Sequence, residues 1–255
     1  MKAYFSTCIG RRDSNDDSHI IDSNNDIKIV SICDGHGSGS KSDFVSKFLE
    51  KNIPPLYLNA TPPFTKEFHI NNFKKLQKKI LEYPEGFTNG STCLLMLLYK
   101  QDNDIILNTV NLGDCRLVVV YEDDFKCITT DHKPDEKNER KRIKSLGGKI
   151  YVDEEGTTRI CNLSVSRVFG DGDSQPYVSH EPEVFYNKLS SKVKYIVMAC
   201  DGLWDVIQND ELCNLLKSYN GKNYASELVS EGLRRGSSDN ISVVVIKIND
   251  FNNIF

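Results

Sequence analysis

The stretch Ile29-Val30-Ser31-Ile32-Cys33-Asp34-Gly35-His36-Gly37 is an apolar strand that stops at a carboxylate, with a glycine-flanked histidine directly after it. A strand ending this way holds polar groups at the rim of a sheet, where rigid backbone fixes their position and glycine lets the next turn approach a ligand closely. This reading places Asp34 at the centre of a metal site. The same ending recurs along the chain. KYIVMAC runs into Asp201-Gly202, IILNTVNL runs into Gly113-Asp114, and the last apolar run begins directly after Asp239-Asn240. In a twisted sheet or sandwich such ends can converge at one edge, where unpaired carboxylates repel one another and shift toward protonation. A divalent cation removes that penalty. All-oxygen donors point to Mg²⁺ or Mn²⁺ rather than zinc, and no Cys-X-X-Cys or His-X-X-X-His spacing argues otherwise. Any one of these aspartates alone reads as a turn residue or helix cap. Four of them at strand ends make the case for a metal.

Outward from this centre, residues 2–9 read as a strand and GRRDSNDDS as a polar loop. Asp22, Asn24 and Asp26 have the opening spacing of a calcium loop, but Ile27 stands at its sixth position and Cys33 at its twelfth, so that reading fails. Helical spacing of Phe44, Val45, Phe48 and Leu49 predicts a helix over 41–51. Pro54-Pro55 and Pro62-Pro63 bracket a loop, and Phe73, Leu76, Ile80 and Leu81 mark a second amphipathic helix with lysines on its solvated face. From Gly90 the period changes: 91–99, 105–112, 115–121 and 126–129 read as an antiparallel meander. A helix is expected over 135–146, begun by Pro134 and ended by Gly147-Gly148. Short strands follow at 149–152, 157–161, 177–179 and 184–186, then a buried strand at 194–200, helices at 209–219 and 223–235, and a closing strand, NISVVVIKI. The pattern predicts one layered α+β sandwich over 1–255, with no repeat and no linker.

Composition agrees with an ordinary globular chain: 255 residues, 39% apolar, 27% charged, formal net charge −4. That balance does not suggest nucleic-acid or membrane partners, and a pI near 5.8 argues against the basic groove of a metal-dependent nuclease. Eight cysteines without paired spacing, most of them in apolar runs (Cys33, Cys93, Cys161, Cys200, Cys213), read as buried reduced thiols. With no secretory or lipidation signal at the N-terminus, a cytoplasmic or nuclear monomer is expected.

Taken together, the segments GRRDSNDDS, ICDGHGSGS, NGSTCLLML, NLGDCRLVVV, TTDHKPDEKNERKRIKSLGGKI, NLSVSRVFGD, EPEV, YIVMACDGLWDVI and GSSDNISVVVI resemble, in order and spacing, the metal-dependent protein serine/threonine phosphatases of the PP2C type. The likeness covers nearly the whole chain. It implies an α-β-β-α sandwich of two antiparallel sheets flanked by helices. It implies two Mg²⁺ or Mn²⁺ ions bridged by Asp34, with the Gly35 carbonyl, Asp201 and Asp239 as further ligands and Asp16 holding the second ion mainly through water. Arg12 resembles the arginine that binds the substrate phosphate, and His36 the general acid. Asp114 and Asp205 match the residues that, with Asp201, hold a more weakly bound third ion in many members. The segment 131–148 resembles the flap beside the active site.

The implied activity is hydrolysis of phosphoserine or phosphothreonine in phosphorylated protein substrates by a metal-activated water, without a phosphoenzyme. The alternative is a phosphatase-like module that binds a partner without turnover. Its support is Asp16, which stands where the family usually has a longer glutamate. A short stretch between Asp171 and Glu181 is the other departure.

Overall fold

The computed structural model describes residues 1–37, 39–219, 223–251 and 254–255. Two five-stranded antiparallel sheets form its centre. The first is ordered Lys2–Cys8, Ile241–Lys247, Tyr195–Ala199, Arg116–Val120, Phe125–Cys127; the second Glu183–Lys188, Asp104–Leu112, Cys93–Gln101, Ile27–Cys33, Ser18–Ser23. Period-two alternation assigns each strand's side chains to two layers. In the 27–33 strand, Val30 and Ile32 enter the core between the sheets, against Met198, Val244 and Ile246. Ile27, Ile29 and Cys33 point the other way, into the layer of helices Phe44–Leu58 and Lys66–Ile80. On the far side Val197, Val243 and Val245 pack against Trp204, Leu212, Leu228 and their neighbours. Each fully buried side chain of this kind stabilises the fold by about 1.5–3 kcal/mol. The α-β-β-α sandwich is the arrangement implied by the sequence.

Several elements differ from expectation. The first helix does not stop before Pro54-Pro55 but runs through both to Leu58. The carbonyls that those prolines cannot engage belong to Glu50 and Lys51, which are exposed, while Ile53 and Tyr57 anchor the last turns in the core. The four strands read as one meander are divided between the two sheets: 93–101 and 104–112 lie in one, 116–120 and 125–127 in the other. The chain changes layer at Gly113-Asp114, and Gly113 takes φ +116 there against Thr92.

The helix expected over 135–146 spans Lys137–Ser145, because the Glu136 side chain caps it by accepting from the backbone N–H groups of Asn138 and Glu139. Tyr177–Ser179 forms no strand; Ser179 makes only an isolated bridge to Arg167. The 149–152 and 157–161 strands shrink to the pair Tyr151–Val152 and Thr158–Arg159. The 209–219 helix begins as a 3-10 turn, Asn209–Glu211, ahead of Leu212–Ser218. All eight cysteines are free; Cys161 and two others are half-buried rather than buried. Among the described residues no helix is long and apolar enough to cross a membrane.

Candidate metal centre

The strand Ile27–Cys33 delivers Asp34 to the rim of its sheet, where the Asp34 amide donates to Thr92 Oγ1 at 3.1 Å and the Thr92 amide to the Asp34 carbonyl at 2.9 Å. The strand Tyr195–Ala199 delivers Asp201 to the facing rim, at the start of a helical turn, and Asp205 follows one turn later on the same side. Asp114 sits at the crossover between sheets, and Asp239 just before the final strand. A cleft of about 680 Å³ opens where these ends meet. Its wall includes Arg12, Asp16, Asp34, Gly35, His36, Asp114, Asp201 and Asp239. Asp205, predicted with them, lies outside that wall, though near enough to Asp201 to repel its charge.

The electrostatics are those of buried carboxylates that repel one another. Burial, then repulsion by Asp201, Asp17, Asp114 and Asp239, pushes Asp34 well above the usual carboxylate range. Burial and Asp114 chiefly raise Asp201 to about 8. Asp17 is raised to about 6, by burial first and by Asp239 and Asp16 after it. Its Oδ1 is buried without a hydrogen-bond partner among the described residues. One donor atom each from Asp17, Asp34 and Cys200 lie within 4.8 Å of one another. Cys200 keeps its proton, since burial and neighbouring carboxylates raise its thiol far above the ordinary value, and it donates to Asp17 Oδ2 at 3.6 Å. The orphaned carboxylate oxygen and the set of hard oxygen donors fit a Mg²⁺- or Mn²⁺-type cation.

The loop carrying Arg12 and Asp16 is fixed by Asn240. Its Oδ1 accepts from the Asp16 amide, and its Nδ2 donates to the carbonyls of Ile9 and Ser14, each at 2.9 Å. Asp16 Oδ1 accepts from Ser14 Oγ at 2.7 Å. Its backbone carbonyl lies so close to Gly35 that a Cβ there would come within 2.3 Å of it, so this position admits only glycine. Arg12, 60% exposed, bonds Asp239 Oδ2 through Nη2 at 2.7 Å. His36 lies in a small sheet of two-residue strands, Gly35–His36, Gly90–Ser91 and Phe169–Gly170. There its Nε2 meets Asp171 Oδ2 at 2.6 Å.

Four residues at this site were given no role from sequence. Asp171 follows a short strand whose pairing with 90–91 is invisible in the chain. Asn240 reads only as the residue between Asp239 and the last strand. Asp17 appears only as the companion of Asp16. Lys133, in the segment 131–148, places its ammonium on Asp114. Burial opposes that charge, but Asp114 and Asp201 outweigh it and hold the amine above the ordinary lysine value.

Residues 2–241 match the family profile described as Protein phosphatase 2C. Among curated relatives, probable protein phosphatase 2C 59 of Arabidopsis thaliana is 30% identical over 226 residues, covering 87% of this chain and 70% of the relative. Probable protein phosphatase 2C 71 of the same plant is 32% identical over 225 residues, 87% of this chain but 48% of the relative. The chain therefore spans from about half to 70% of the length of these relatives. A serine-threonine phosphatase 2C crystal structure from Toxoplasma gondii superposes with a TM-score of 0.77 at 22% identity, over 96% of this chain and 94% of that one, which shows the shared fold.

Proposed function

The chain belongs to the protein phosphatase 2C family of serine/threonine phosphatases, and from that premise we propose that its acidic cleft hydrolyses phosphoserine and phosphothreonine in protein substrates. We read the whole chain as one catalytic domain for this reaction. The observation that carries the reading is the convergence of Asp34, Asp201, Asp239 and Asp114 on one cleft, with Arg12 and His36 in the same wall.

Asp34, Asp201, Asp239 and the Gly35 carbonyl are the residues to hold a pair of Mg²⁺ or Mn²⁺ ions, with Asp16 serving the second ion and Asp114, Asp201 and Asp205 a labile third. Bound there, such ions supply Lewis-acid charge at the phosphoryl oxygens and lower the pKa of a water toward neutrality. The protein supplies the rest. Arg12, largely exposed beside Asp239, offers its guanidinium to the phosphate dianion, a pairing suited to the fork of N–H donors. Water attacks phosphorus in line as the P–O bond to the serine or threonine oxygen breaks. His36 gives its proton to that oxygen, a contribution of roughly 10²- to 10⁴-fold in rate. Asp171 orients the imidazole.

No side-chain nucleophile is required. Cys33 and Cys200 border the site but are buried, with thiols held protonated well above neutral pH. The intact set of Arg12, Asp34, His36, Asp201 and Asp239 supports turnover over a binding-only module.

The deciding experiment is a phosphothreonine-peptide assay with Mn²⁺ or Mg²⁺, with and without chelator, on wild type and Asp34→Ala. Metal-dependent phosphate release that Asp34→Ala abolishes is expected. Activity surviving chelation, or unchanged in the variant, would contradict the metal mechanism, and no turnover with any metal would favour the binding module.

A further inference from the structure

We propose that Lys133 is a built-in occupant of the third cation position, so that a third divalent ion and the Lys133–Asp114 pair exclude one another. This inference rests on the metal reading given above and adds a control to it.

The Lys133 ammonium is hydrogen-bonded to Asp114 Oδ2. Asp114 is 2% exposed, so its carboxylate has little access to water as an alternative partner. Asp201 and Asp205, the other two carboxylates assigned to the third ion, also act electrostatically on the same ammonium. One lysine therefore satisfies, in the absence of an ion, the charge that a third ion would satisfy.

The lysine is placed by its neighbours. Asp131 receives a bidentate grip from Arg116 at 2.8–3.0 Å. The amide of His132 donates to the Gly113 carbonyl, and the Gly113 amide donates to His132 Nδ1, both at 3.0 Å. Asn111 Nδ2 donates to the Thr130 carbonyl at 3.0 Å. Backbone 130–132 is thus stitched to the crossover that carries Asp114, while the flexible lysine stem is the part that can leave. Two cations cannot share the position, because an ammonium and a divalent ion held against the same buried carboxylate repel each other. Lys133 consequently weakens the third ion without being one of its ligands.

The test is Mn²⁺ binding by calorimetry, with electron paramagnetic resonance counting free ion, on chelator-stripped wild type, Lys133→Met and Lys133→Arg. Two tighter ions and a weak third are expected in wild type. Lys133→Met should tighten the third by at least about tenfold, the equivalent of about 1.4 kcal/mol. Lys133→Arg, which keeps the charge, should leave it weak. Asp205→Asn added to Lys133→Met should remove the gain. A third-ion affinity in Lys133→Met within twofold of wild type, or tightened equally in Lys133→Arg, overturns the inference alone. A wild type that takes up no Mn²⁺ overturns the metal centre itself. Should Lys133→Met fail to fold, amine-reactive footprinting of wild type decides. Lys133 labelling should rise several-fold as Mn²⁺ passes from two bound ions to three, and unchanged labelling overturns the proposal.

Discussion

His36 Nε2 stands 2.6 Å from Asp171 Oδ2, and the two lie 135 positions apart in the chain. They meet because 35–36 and 169–170 both pair with Gly90–Ser91. Asp171 itself takes φ 43, ψ 51, a left-handed backbone that a non-glycine residue adopts only where its surroundings enforce it. A carboxylate on a histidine nitrogen fixes the ring's orientation and tautomer. Asp171→Asn is therefore expected to lower kcat on a phosphothreonine peptide by roughly 10- to 100-fold with KM little changed, a part of the roughly 10²- to 10⁴-fold that general-acid assistance supplies. Both His36→Gln and Asp171→Asn should lose far less on an aryl phosphate, whose leaving group needs no proton. Equal losses on both substrates would remove the leaving-group role.

Gly90 makes room for that pair. A Cβ at this position would lie 2.1 Å from Asp171 Oδ2 and 2.5 Å from His36 Nε2. Gly90→Ala should reproduce the kinetic defect of Asp171→Asn and cost about 1–3 kcal/mol of stability from overpacking. Urea denaturation and peptide kinetics together check both parts.

Stability of the chelator-stripped protein should fall as pH rises. In the fold burial and neighbouring carboxylates raise Asp17 to about 6 and Asp201 to about 8, against 3.8 for an ordinary aspartate. The folded state therefore holds protons that the unfolded chain has released, a contribution full below pH 3.8 and lost as pH rises through those two values. Mn²⁺ replaces the protons. Its stabilisation should be greater at pH about 8 than at about 5, visible by scanning calorimetry as a Tm gain of roughly 2–4 °C per kcal/mol. An equal gain at both pH values would contradict the carboxylate cluster as the cation's site.

His69 gives the opposite slope. It is fully buried between Tyr57 Oη at 3.1 Å and Asn108 Oδ1 at 2.8 Å, and burial lowers its pKa to about 4 from an ordinary 6.5. Between those values the unfolded chain binds a proton that the fold refuses, so stability falls as pH drops through them, by about 3 kcal/mol at most. His69→Gln should flatten that part of the profile relative to wild type in urea titrations at pH about 7 and about 4.5.

Asp16→Glu adds the methylene by which Asp16 falls short of the glutamate that the family resemblance implies at this proposed ligand position. Mn²⁺ affinity for the second ion should rise about tenfold, or 1.4 kcal/mol, by calorimetry. No change would mean that the Ser14 bond already places Asp16 as well as a longer side chain could.

The layers of this fold were legible because burial leaves a period in the chain: the alternation in IKIVSIC and the spacing of Phe73, Leu76 and Ile80 record which face of each element meets a core. The prolines at 54 and 55 misled, since helix termination there depends on whether the freed carbonyls reach water, a property of the surface and not of the residues themselves. The division of the 91–129 strands between two sheets was hidden for a similar reason: a turn looks the same whether its strands pair or part.

At the site, the acidic strand ends could be read directly, because an aspartate after an apolar run is a local signal. From sequence came the α+β layering, the aspartates at strand ends and, through the family resemblance, the candidates Arg12 and His36. Tertiary structure alone decided which strands face each other, that Asp171 holds His36, that Asn240 pins the Arg12 loop, and that Lys133 sits on Asp114. The physical reason is range. Periodicity and strand ends are written in neighbouring residues, whereas a hydrogen bond between positions 36 and 171 exists only once separate strands have paired and brought their ends to one edge.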